Sequence, residues 1–129
     1  MSYSSPMRVT YTTGAITTTA AAATLPIRGP KGMQGRLIDI IARCTTTHVL
    51  GSTPTKLEVG VAGTVAAYAT FLPAAMTAPT ASTLTDLPGA SALGTVTIPA
   101  DTQVILTTTA NVTGVPAGVI TYDVVIGWF

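Results

Sequence analysis

The sequence predicts an all-β chain, folded as an antiparallel β-sandwich or barrel of about eight short strands. Three observations carry that expectation. Apolar residues recur at every second position, the spacing of half-buried strands. Clusters of Gly and Pro punctuate the runs. The runs themselves are filled with Thr, Val and Ile, whose branched Cβ suits a pleated surface. The 129 residues weigh 13.0 kDa. That is the size of one domain, long enough to bury about two thirds of its unfolded surface, so residues 1–129 read as a single unit.

Taken in order, Met7, Val9 and Tyr11 alternate with Arg8, Thr10 and Thr12, giving a first strand. Residues 15–24 give a second: Ala20 to Ala23 have helical propensity, but the flanking Thr runs favour extended chain. Residues 25–35 read as a Gly/Pro-rich loop, Leu-Pro-Ile-Arg-Gly-Pro-Lys-Gly-Met-Gln-Gly. Residues 36–47 form the next strand, with Ile38, Ile40, Ala42 and Cys44 on one parity. Leu57, Val59 and Val61 then alternate with Lys56, Glu58 and Gly60, and residues 64–71 follow as a partner strand. The Ala-rich stretch from Leu72 to Leu87, with Pro73 and Pro79, reads as a long crossing loop with room for one helical turn. Strands are expected again at 94–98 and 102–109. The last, residues 119–129, puts Ile120, Tyr122, Val124, Ile126 and Trp128 on one face, with Thr121, Asp123 and Gly127 on the other beside Val119 and Val125. Turns fall at 51–54, 87–90, 98–101 and 114–118.

Composition narrows the function classes. The chain is 47% hydrophobic and 9% charged, against roughly a quarter charged in an ordinary soluble domain. So little charge favours life in an assembly. A mean hydropathy of +0.54 invites a membrane reading. A spanning helix needs about 20 predominantly apolar residues. The stretch from Val9 to Ile27 is packed with Thr, and the one from Val59 to Leu84 is broken by Gly60, Gly63, Pro73 and Pro79. The first residues, Met-Ser-Tyr-Ser-Ser-Pro, lack the basic start and apolar run of a secretory signal, so synthesis and use in a cytoplasm are expected and no membrane partner is. A net charge of +1 offers no bulk attraction to nucleic acid.

The charges are unevenly placed. Residues 1–56 hold all six bases (Arg8, Arg28, Lys31, Arg36, Arg43, Lys56) and one acid, Asp39, a net +5. Residues 57–129 hold Glu58, Asp86, Asp101 and Asp123 and no base, a net −4. If the fold keeps these apart, the molecule is a dipole suited to assembly contacts; if the strands interleave, the charges are simply solvated.

The chemistry-bearing residues give no catalytic constellation. Cys44 is the single cysteine, so no intrachain disulfide forms, and His48 is the single histidine. Four residues apart on one strand they lie about 13 Å from each other, too far for a nucleophile and its base. Cys44 reads as a small core residue and His48 as a strand-end or loop residue. One His and one Cys cannot build an all-protein Cys/His zinc site, and no calcium loop is present; no metal or cofactor is expected. Five acids and few aromatics make a paired-carboxylate glycosidase a poor fit, and Ser91 lacks a nucleophile-elbow context. Asn111-Val-Thr113 matches a glycosylation sequon, without a signal peptide to give it meaning. Gly29-Pro-Lys-Gly-Met-Gln-Gly35 is too short for a collagen helix, lacks the P-loop Ser or Thr, and precedes a strand rather than a helix, unlike a nucleic-acid-binding GxxG loop. It reads either as a flexible connection or as an adhesive loop, because Arg28, Lys31 and Arg36 cluster there with no acid before Asp39.

Several stretches together are similar to the small capsid decoration, or cement, proteins of tailed bacteriophages. They are Gly29-Pro-Lys-Gly-Met-Gln-Gly-Arg-Leu-Ile-Asp-Ile40, Leu57-Glu-Val-Gly-Val-Ala-Gly63 with Ala67-Tyr-Ala69, Ile98-Pro-Ala-Asp-Thr-Gln-Val104, and Pro116-Ala-Gly-Val-Ile120 through Trp128-Phe129. They cover about a third of the chain, and their order and spacing carry the likeness. Residues 1–27 match none of it and are open to reading as an extended N-terminal arm. The resemblance implies a jelly-roll domain, often a homotrimer, made in a bacterial host cytoplasm. It implies attachment to the virion exterior, where the domain binds the major capsid (coat) protein and locks neighbouring subunits, without catalysis or cofactor. Arg28, Lys31 and Arg36 are then the candidate partner-binding residues. Two rivals stay open: a receptor- or carbohydrate-binding sandwich of a tail fibre, which needs an aromatic-lined groove, and a small β-barrel enzyme, which needs clustered acids.

Overall fold

The structure, a computed structural model, describes residues 7–17, 23–49, 55–73, 80–83, 92–93, 97–109 and 117–129. Every regular element among them is a strand: β1 Met7–Thr17, β2 Ala23–Arg28, β3 Gly35–Val49, β4 Lys56–Val61, β5 Thr64–Phe71, β6 Thr80–Thr83, β7 Ala92–Leu93, β8 Thr97–Ile98, β9 Gln103–Thr109 and β10 Ala117–Trp128. β7 and β8 are two residues each, which leaves the expected eight strands of any length. All pairings are antiparallel.

The pairing is nested. β4 pairs β5, β3 pairs β6 and β8, β2 pairs β9, and β1 pairs β10. That is one long hairpin, and rolling it up adds two more contacts, β3 on β10 and β4 on β9. The result is the double Greek key of a jelly roll, with one sheet ordered β1-β10-β3-β6 and the other β2-β9-β4-β5-β7. The all-β sandwich expectation therefore holds.

Period-2 patterning explains why the sheets face each other. β10 buries Ile120, Tyr122, Val124, Ile126 and Trp128, the face the alternation marked out. Opposite lie Leu57 and Val59 of β4, Phe71 of β5, and Val104 and Leu106 of β9. Phe71 and Tyr122 meet across the two sheets edge to face, with centroids 6.4 Å apart and planes at 85°, the arrangement that ring quadrupoles favour.

Four local expectations are corrected. Leu25–Arg28 is not loop: it belongs to β2, which tolerates Pro26 because β2 is an edge strand that, among the described strands, pairs β9 alone. The strand expected at 15–24 is divided, because β1 ends at Thr17 and β2 starts at Ala23. Within the long crossing segment β6 adds to β3 as a strand; residues 74–79 and 84–87 lie outside those described. On β3 the core face is Leu37, Ile40, Ala42 and Cys44. A register shift opposite Val125/Ile126 makes a bulge, so Ile38 and Asp39 both fall off the core side and Leu37 replaces Ile38 on it. The turns expected at 51–54 and 87–90, the sequon, and all but the last two residues of the 114–118 turn also lie outside the described residues. The 98–101 turn is present, with Asp101 at φ 58°.

Candidate partner-binding site

Trp128 builds the end of the sandwich where the expected basic residues stand. It is 2% exposed, and its indole Nε1 donates to the Tyr11 hydroxyl at 3.0 Å. The ring lies flush against the backbone of the β2–β3 connection. A Cβ on Gly35 would stand 2.5 Å from the Trp128 Cζ3, and one on Gly29 would collide with the same ring. Both glycines are therefore required by close approach, a reason the sequence could not show. Past the ring, Gln34 and Phe129 exchange backbone hydrogen bonds, each 2.9 Å.

The connection is held from the other side by Asp101. Its Oδ1 accepts the Gly32 N–H at 2.9 Å, and its carbonyl accepts from the Arg28 guanidinium at 3.2 Å. Met33 N–H closes a turn on the Pro30 carbonyl at 3.2 Å. The 29–34 segment is thus a hydrogen-bonded bridge between the two sheets. Asp101, which belongs to the acidic second half of the sequence, comes to this end of the molecule.

Arg28 at the end of β2 and Arg36 at the start of β3 flank this connection, and Lys31 lies on it; all three are exposed. A fourth cation joins them. Arg8 on β1 and Arg36 on β3 are both in register with Gly127 of the β10 strand between them. Their side chains point to the same outward face about 10 Å apart, across a residue with no side chain. Among the described residues no acid pairs with Arg8, Lys31 or Arg36. The remaining two bases are neutralised: Arg43 Nε lies 2.9 Å from Asp123 Oδ2, and Lys56 Nζ 3.4 Å from Glu58 Oε1. The sequence's +5/−4 division therefore does not become two charged halves; it becomes one basic end and two local pairs. Sequence reading missed Arg8 because only strand register brings it beside Arg36.

The other residues of chemical interest lie apart from this end. Cys44 is buried in the core, as the parity suggested. His48 is near the end of β3 and 1% exposed, packed against Gly118, where a Cβ would stand 2.8 Å from the His48 Cα. Tyr122 is buried in the core without a well-formed hydrogen bond from its hydroxyl. Burial pushes its phenol well above the ordinary range, and the Thr55 hydroxyl pulls more weakly the other way. Thr55 itself donates to the Thr109 carbonyl at 2.5 Å. A cavity of about 170 Å³ opens between β1, β2 and β9, lined by Thr13, Ile16, Thr24, Leu25, Leu106 and Thr108. Among the described residues no three His, Cys, Asp or Glu side chains gather where they could hold a metal ion, and no helix is long and apolar enough to cross a membrane.

No family model, no curated protein and no solved structure matches the chain.

Proposed function

We propose that the chain is a non-catalytic structural protein of a virion, which docks by its basic end on the outer surface of an assembled coat-protein shell and stabilises the shell by bridging subunits. The observation that carries this reading is the set of exposed cations around the 29–34 bridge: Lys31 on it, Arg28 and Arg36 on the strands at its two ends, and Arg8 on β1 across Gly127 from Arg36. A set of exposed cations carried on hydrogen-bonded backbone suits a partner surface rich in carboxylates, and docking orders their side chains rather than the chain that carries them. Jelly rolls serve many purposes, so the fold supports the reading only by supplying a rigid platform.

The mechanism is mass action. A protein that binds the assembled shell better than free subunits shifts assembly by linkage. Each exposed ion pair is worth about 0–1 kcal/mol, so useful occupancy requires several contacts, and attachment in more than one copy multiplies them.

The test mixes purified protein with undecorated shells of the coat protein encoded in the same genome and measures occupancy by cosedimentation. Saturable binding that weakens with salt is expected, as is a loss of occupancy when Arg8, Arg28, Lys31 and Arg36 are all replaced by Ala. Absence of binding at low salt overturns the reading; full binding by the quadruple variant moves the contact elsewhere on the domain.

A further inference from the structure

We infer that the outer edge of β1 is a self-pairing surface, on which a second copy of this chain adds its own β1 in antiparallel register about a two-fold axis through Thr10. An edge strand presents unpaired N–H and C=O groups that template another strand, and folded proteins blunt such edges. Three of the four edges here are blunted among the described residues. β2 carries Pro26, the β3 flank is covered only by β6 and β8, four and two residues long, and β7 beyond β5 has two. β1 is different. It has eleven residues with neither Pro nor Lys, and it pairs β10 on one side alone among the described strands.

The sequence of β1 is complementary to itself in one register. With Thr10 facing Thr10 of the second copy, Val9 stands opposite Tyr11 and Arg8 opposite Thr12. Antiparallel partners point to the same face. Val9 and Tyr11, both only half buried in the single chain, then cover each other on the core side. On the outward side Arg8 faces no like charge. It faces Thr12, whose hydroxyl donates to Asp123 at 2.8 Å, so the guanidinium is directed at a carboxylate. The paired segment runs from Met7 to Thr13 and stops where Gly14, at φ 78°, opens the bulge between Thr12 and Ala15. Pairing in this way joins the β1-β10-β3-β6 sheets of the two copies into one. An isologous contact closes at two copies, not at the three that the family resemblance implies.

Crosslinking tests the register directly. Opposed Cα atoms in a strand pair fall within the 4.4–6.8 Å that a disulfide spans, whereas a four-residue offset is about 13 Å. Thr10→Cys is therefore expected to give a covalent dimer under mild oxidation with diamide, and Thr12→Cys is not; the native Cys44 is buried, and the wild-type chain is the control. In sedimentation the wild type is expected at about twice 13.0 kDa. Thr10→Lys, on an exposed position, is expected to sediment as a monomer with an unchanged far-ultraviolet spectrum, because it sets two ammonium groups face to face. A wild-type monomer or trimer overturns the inference, as does a Thr12→Cys chain that crosslinks as readily as Thr10→Cys. None of these readings depends on shell binding.

Discussion

Arg36 and Arg43 stand seven residues apart on β3, both exposed and both on the outward side of the same sheet, yet they live in different surroundings. Arg43 is in register with Thr121 and reaches Asp123 with two nitrogens, Nε at 2.9 Å and Nη2 at 3.1 Å. Thr12 donates to that same carboxylate at 2.8 Å, so one acid ties β1, β10 and β3 together. Arg36 is in register with Gly127, which offers nothing to pair with, and beyond it stands another cation, Arg8. A charge neutralised within the fold contributes to the fold, and a charge left without a partner on a fixed surface is available to something else. The two differ through cross-strand register, which no spacing along the chain discloses.

The largest expected effect concerns what holds the basic end fixed. Trp128→Ala removes a buried ring and is expected to lower stability by about 3–5 kcal/mol, read as a shift in the urea midpoint at constant slope. Gly35→Ala drives a methyl group into the same ring and is expected to cost about 1–3 kcal/mol, the usual range for overpacking. The two should not add. With Trp128 already truncated, the Gly35 methyl has space, and the double variant is expected to be close to Trp128→Ala alone. Additive losses would show that the ring does not support the bridge.

An intermediate effect comes from the core beneath Arg43. The unfolded Tyr122 phenol titrates near 10.0, and burial raises it in the folded chain. The folded state thus holds this proton more tightly. The stabilisation is complete below pH 10.0 and is lost as the pH rises through and beyond that value. Tyr68, also raised by burial, acts in the same direction. Tyr122→Phe removes a hydroxyl that makes no well-formed hydrogen bond, so near neutrality it is expected to change stability by less than about 1 kcal/mol. Above pH 10 the variant is expected to lose stability less steeply than the wild type. Parallel pH profiles would place the Tyr122 hydroxyl in contact with water.

These contrasts mark how far the sequence was legible. Alternation named the buried face of β10 residue by residue, because a strand with one wet face must repeat every second residue; it also named Leu57 and Val59 of β4, where Glu58 and Gly60 between and beside them turn out to be buried as well. It failed where the repeat breaks. The β3 bulge replaced Ile38 with Leu37 on the core side, and Pro26 concealed an edge strand for which it is no obstacle. The candidate site was legible only in part. Arg28, Lys31 and Arg36 are near one another in the chain and stand at the two ends and in the middle of one short connection between the sheets. Arg8, Asp101 and Trp128 join them through pairings that span most of the chain, such as Met7 with Trp128 and Arg8 with Gly127. Two glycines of the Gly-rich connection, Gly29 and Gly35, lie against the Trp128 ring, a close approach that the sequence pattern did not show.

The smallest effects test the comparison most sharply, because they set the two arginines directly against each other. Arg43→Ala breaks a pair whose cation is half exposed and whose acid is mostly covered, with side-chain exposures of 52% and 14%. Solvent screening limits the loss to about 0.5–1 kcal/mol, and the loss is expected to shrink in high salt. Asp123→Asn removes the shared acceptor of Arg43 and Thr12 and is expected to cost at least as much as Arg43→Ala. Arg36→Ala breaks nothing within the described chain, and its expected change in stability lies within about 0.5 kcal/mol. Its sign is expected to be neutral to slightly favourable, since it relieves the repulsion between Arg36 and Arg8 across Gly127. The order in shell occupancy is expected to be the reverse: Arg36→Ala weakens it in low salt, and Arg43→Ala leaves it unchanged. A stability loss at Arg36 equal to that at Arg43 would mean that Arg36 has an acid partner within the folded protein. In that case the basic end is part of the fold's own electrostatics, and the contact surface must be sought on another face.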